Sequence, residues 1–102
     1  MQGQALIQFL YLQNVGEYVQ SDIGKNCDTN QIIDTTDTCK VAAGVLGMIY
    51  NSYTLSTQLH PAGCYWHSDH EEMWFNEITD PSITHPEVFG PRGGVCRNTG
   101  KR

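Results

Sequence analysis

The densest group of reactive side chains is the run His67-Ser68-Asp69-His70-Glu71-Glu72. Imidazole and carboxylate groups can gather zinc or copper, and His60 or His85 could complete such a set from another loop. No motif of defined metal-ligand spacing supports this, and a solvated connection between two strands has the same composition. A Ser-His-Asp set can also be written from these letters. Yet no Gly-x-Ser-x-Gly elbow occurs, and four scattered histidines make a chance triad easy to assemble. The expectation is therefore a non-catalytic protein with no metal and no cofactor.

The second group is aromatic. Cys64-Tyr65-Trp66 and Met73-Trp74-Phe75 read as two strands of a hairpin joined by the polar run, a composition that suits one face on a core. Neighbours on a strand point to opposite faces. Tyr65 or Trp66, together with Trp74, is the expected outward set, a surface on which a sugar ring could stack. Buried, the same rings would supply bulk to a thin core. Asn76, at the end of the second strand, reads as a turn former.

These groups need a scaffold, and the clearest piece of it lies upstream. Thr35 or Thr36 can cap a helix whose first turn carries Asp37, where the dipole favours a negative charge. Cys39, Ala42, Ala43 and Leu46 fall at i, i+3, i+4 and i+7, and Gly47 suits a left-handed C-terminal cap. The alanines allow another element to come close, and the cysteine could bond to it. Ile33 can pack on the first turn as a hydrophobic staple. Glu17-Tyr18-Val19 reads as a short strand, and so does Val95-Cys96-Arg97. The stretch from Tyr53 to Thr57 is β-prone. Cys27 sits in a polar loop, His60-Pro61-Ala62-Gly63 is another loop, and residues 79–94 read as a long ordered loop rich in Pro and Gly.

The chain of 102 residues is one domain's length. Six basic against eleven acidic residues give a net charge of -5, which argues against a nucleic-acid or anionic-membrane partner. No stretch of about 18 apolar residues exists to span a bilayer. Four cysteines, with 11, 24 and 31 residues between them, contain no C-x₂₋₄-C pair and so favour two disulfides over zinc. Disulfides imply an extracellular setting or an oxidising lumen. The N-terminus lacks a basic stretch and small-residue cleavage site of a secretory signal, so an exported protein would be the mature form or a fragment. No Asn-x-Ser/Thr sequon is present.

Between Ala5 and Leu12 seven of eight residues are apolar and none is charged. Leu6, Leu10 and Leu12 share one strand face while Ile7, Phe9 and Tyr11 share the other, so the segment needs cover on both sides. It is either a core element or a docking segment that buries itself in a neighbour. The organisation expected is a docking or core segment over 1–16, a disulfide-stapled domain over 17–98 and a polar tail over 99–102.

From Cys27 to Cys96 the order of features resembles a small disulfide-bonded domain that recurs, often in tandem, in predicted secreted proteins of algae and other marine protists. The shared pattern is carried here by Cys27, Ile33, Cys39, Ala42, Ala43, Leu46, Gly47, Pro61, Gly63, Cys64, Tyr65, Phe75, Asn76 and Cys96. The resemblance implies an extracellular structural, adhesive or binding module. The expected fold is α+β: one short helix packed on a small antiparallel sheet, with two disulfides and long irregular loops. Cys39 is expected to pair with Cys64, tying helix to hairpin, and Cys27 with Cys96, closing the chain ends. Loops of this length would contribute about 3.5–4.4 kcal/mol each by chain entropy, less when nested. The expected role is a structural subunit that self-associates or docks into a larger assembly through Leu6 to Leu12. The alternative is a carbohydrate-binding or adhesive module built on the aromatic hairpin. Elemental analysis of protein purified without chelator should find well under one equivalent of zinc, copper or calcium. A stoichiometric metal lost on changing His67 and His70 to Ala would contradict this.

Overall fold

The computed structural model describes residues 17–98. The apolar run from Ala5 to Leu12 and the tail at 99–102 lie outside the described residues. Local signals set the helix α1, Thr36–Leu46. The Thr35 side chain accepts from Thr38 N at 3.2 Å, and Gly47, at φ 72°, closes the far end with its N–H on the carbonyls of Ala43 and Gly44. Cys39, Ala42 and Ala43 are buried, so the small-residue stripe is the face that meets the sheet.

Five strands follow the order β1-β5-β3-β4-β2, with β1 Tyr18–Gln20, β2 Ile49–Leu55, β3 Gly63–His67, β4 Glu72–Asn76 and β5 Arg92–Arg97. The fold is α+β. The two aromatic segments pair antiparallel as β3 and β4, Tyr65 opposite Trp74, and β5 runs antiparallel to both β3 and β1. β2 alone is parallel to its neighbour β4. The helix turns the chain between β1 and β2, and the chain then crosses by the loop at 56–62 to β3 in the sheet's centre. That route brings β2 alongside β4 in the same direction. Thr29–Gln31, Pro81–Ile83 and Pro86–Val88 form single 3-10 turns inside the long loops.

Register decides what each face carries, because directly opposed residues share a face. Cys64, Phe75, Trp66, Met73 and Val95 point to α1, where Ile33, Cys39, Ala42 and Ala43 complete the core. The disulfide Cys39–Cys64 fastens the helix to the central strand, with Cα atoms 5.4 Å apart. Tyr65, Trp74, His67, Glu72, Arg92 and Cys96 point to the other face. No helix covers that side among the described residues, so loops do. There Cys27, Ile32, Ala62 and Cys96 form a second small core, held by the disulfide Cys27–Cys96. Both pairings are those expected from the sequence, and the described residues contain no free cysteine.

The loops are fixed by two asparagines. Asn76 is fully buried; its amide nitrogen donates to the carbonyls of Thr57 and Pro61 at 2.8 and 3.0 Å, with His60 O at 3.3 Å. Its Oδ1 accepts from Thr57 N and Ile78 N, both at 3.1 Å. Asn26 joins Ala62 N at 2.9 Å to the Thr84 hydroxyl at 2.8 Å. Gly63 lets the chain pass between them: it holds φ 68°, and a Cβ there would collide with the backbone oxygen of Ile33. Gly63→Ala is accordingly expected to destabilise by about 2–4 kcal/mol. Gly44→Ala, in mid-helix with nothing within 4 Å of the added carbon, should stabilise by about 0.5–1 kcal/mol. Urea midpoints of the two variants check both signs.

Candidate functional site

The loop-covered face gathers the reactive side chains. Residues opposed across strands give a row Arg92, His67, Glu72 and, one step inward, a row Gly94, Tyr65, Trp74. Tyr65 is only 1% exposed, which removes it from the outward stacking set expected of the sequence. The loop before β3 lies over it. Its hydroxyl sits 2.8 Å from His60 Nδ1, the O–H donating to the unprotonated nitrogen in the tautomer that keeps Nε2–H, and the rings meet edge-on at 5.3 Å. Burial chiefly pushes the Tyr65 pKa up to about 12, against the pull of Arg92. Burial, then Arg92 and His67, bring His60 down to about 4. The pair is therefore a neutral hydrogen bond at pH 7.

Trp66 and Trp74 do not form one platform. Trp66 is on the helix face, partly buried, with its indole N–H donating to Ser21 O at 3.1 Å. Trp74 is on the opposite face, half-buried beneath Tyr53, whose ring meets it edge-on at 6.4 Å. This Tyr53–Trp74 pair is the aromatic feature that sequence reasoning missed. It arises from an irregularity in β2: Tyr50 opposes Met73 and Thr54 opposes Phe75, so residues 51–53 all stand against Trp74. Asn51 Oδ1 accepts from Tyr53 N at 2.9 Å and holds the bulge. The Asn-Ser pair before Tyr53 was the available signal, but nothing local marks which strand it would bulge against. Trp74 Nε1 is buried without a hydrogen-bond partner.

The histidines are dispersed among different tasks. His67 and His70 stack with centroids 4.5 Å apart, His60 is engaged with Tyr65, and His85 stands 3.7 Å from Glu87. Among the described residues no group of three or more His, Cys, Asp or Glu side chains is placed to hold a metal ion. No hydrogen bond joins the Ser68 hydroxyl to a histidine, so the paper triad is not assembled.

The helix face carries a cleft of about 340 Å³ between the C-terminal end of α1 and the β3–β4 turn, lined by Gln20, Leu46, Gly47, Met48, Trp66, Ser68 and Glu71. A second opening of about 300 Å³, lined by Glu17, Tyr18, Arg97 and Asn98, lies where β1 begins. No described helix is long and apolar enough to cross a membrane. No protein-family model, curated protein or solved structure matches this chain.

A pH dependence follows from His60. Its folded pKa lies below the unfolded 6.5, so the unfolded chain takes up the proton first. The stabilisation is complete above about pH 6.5 and is lost as the pH falls toward 4. Partial exposure screens the effect, leaving about 1–2 kcal/mol. Urea midpoints between pH 7.5 and 4.5 should fall less steeply in His60→Gln than in the wild type; parallel slopes would contradict the assignment.

Proposed function

We propose that this protein is a non-catalytic structural subunit of an extracellular or luminal assembly, a fibre, matrix or larger complex, joined through Leu6, Ile7, Phe9, Leu10, Tyr11 and Leu12. One observation carries the reading. Both disulfides lie within residues 17–98, and among the described residues two clusters of buried side chains form there, with a cleft beside the end of α1. That cleft, about 340 Å³, holds about eleven water volumes at roughly 30 Å³ each. That suits a couple of side chains from one face of an extended segment, while the run from Ala5 to Leu12 is apolar on both faces. Left in water, each large side chain would cost about 1.5–3 kcal/mol. A second protein surface, from a copy of this chain or from a partner subunit, supplies the missing cover.

Two disulfides suit an oxidising compartment, in keeping with secretion and with the resemblance to repeated domains of algal and protist secreted proteins. The sheet edges make poor docking sites: β1 has three residues, and β2 is bulged. Side-chain burial, rather than strand addition, is then the mode of association. A second reading, glycan binding, is favoured by Tyr53, 67% exposed and set edge-on against Trp74.

Light scattering of the intact chain beside Leu6→Glu/Leu10→Glu tests the proposal. The intact chain should run as an oligomer and the variant as a folded monomer with both disulfides. Two identical folded monomers would refute self-association. A glycan array should show no binding above background; specific binding lost in Tyr53→Ala would instead favour the second reading.

A further inference from the structure

The connection from β3 to β4 is closed by an unusual bond. Asp69 N–H donates to Nδ1 of the His67 ring at 3.2 Å, which requires that nitrogen to be unprotonated. His70 N and Glu71 N both reach His67 O, at 3.3 and 3.1 Å, and Ser68 N donates to Pro91 O at 2.9 Å. Glu71 is thereby held at φ 52°, the one non-glycine with positive φ among the described residues. In that conformation its carbonyl accepts from Ile49 N at 3.2 Å, which fixes the start of β2. One ring nitrogen thus joins the backbone bonds to His67 O in closing the turn that positions the first residue of an edge strand.

We propose that this turn is an acid-released latch: a proton arriving on His67 Nδ1 breaks the bond that closes it and frees the start of β2. The imidazolium nitrogen donates and cannot accept, so it opposes Asp69 N–H directly. Every charged or titratable neighbour of the ring bears on the balance. Arg92 on β5, His60 on the preceding loop and His70 stacked on the ring oppose the added charge. Glu72 on β4 and Asp69 in the turn favour it. The first group prevails: burial foremost, then Arg92 and His70, lower the His67 pKa, against Asp69 and Glu72. The closed form is therefore complete above the ordinary histidine range and is lost as the pH falls below about 6.5. Ser68 and Glu71 also form one wall of the cleft beside α1, so release of the turn changes that surface while the disulfides hold the rest.

The test is NMR of the intact chain from pH 8 to 5, following the His67 ring and the exchange protection factors of the Asp69 and Ile49 amides. Both amides should lose protection several-fold in step with the ring, while Cys64 on β3 stays protected. His67→Asn keeps an acceptor for the amide two residues on, an Asx turn that does not titrate, and should abolish the step. His70→Gln removes the stacked ring and should move the His67 midpoint upward. The proposal is overturned if the amides ignore the ring's titration, if His67→Asn keeps the same step, or if His70→Gln leaves the midpoint in place.

Discussion

A sheet of five strands has two faces to cover, and this chain has one helix of eleven residues among its described elements. Everything else in the architecture answers that shortage. α1 works because it is thin: Cys39, Ala42 and Ala43 let its axis lie close to β3, and the Cys39–Cys64 bridge holds it there. The opposite face is covered by loops, which have no ladder of their own to satisfy their backbone groups. Asn76 and Asn26 substitute for that ladder. Each side-chain amide both donates and accepts, so one buried residue can pair groups from two loops. Cys27–Cys96 then ties the loop layer to β5 across 69 residues of sequence.

The parts of the fold legible in the sequence were those fixed by neighbours in the chain. Thr35, Asp37 and Gly47 mark the ends of α1, and its stripe gives the buried face. The aromatic hairpin and the strands at Tyr18 and Val95 were found within one to three residues of their ends. What the sequence did not disclose depends on distant register. A shift of one residue reverses every side chain on a strand, and nothing near Tyr65 says which face the loop at 56–62 will cover. Tyr65 therefore turned out buried, while Trp66 and Trp74 parted to opposite faces. Asn76 looked like an ordinary turn former, because its role needs carbonyls from residues fifteen to nineteen positions away. The parallel pairing of β2 was hidden for the same reason.

The chemistry follows from this construction. Among the described residues no three of the histidines and carboxylates that sit together in the sequence are placed to hold a metal ion; His67 stacks on His70, and its Nδ1 accepts from a backbone amide. His60 is kept neutral by burial, then by Arg92 and His67, and burial with Arg92 and His70 lowers the His67 pKa against Asp69 and Glu72. The described surface carries a cleft beside the end of α1, and the bulge before Tyr53 interrupts the β2 edge. The structural role proposed above rests on the apolar run from Ala5 to Leu12 beside this stapled body.

Loops pinned by Asn76 should form a true second layer, as well ordered as the strands beneath them. Native-state hydrogen exchange at the amides of Thr57 and Ile78, which donate to Asn76 Oδ1, and of Ala62, which donates to Asn26 Oδ1, measures this directly. Protection there should be comparable to that of Tyr65 and Trp66 in β3, and lost together at those sites in Asn76→Ala. Exchange at the rate of exposed loops in the wild-type protein would contradict it.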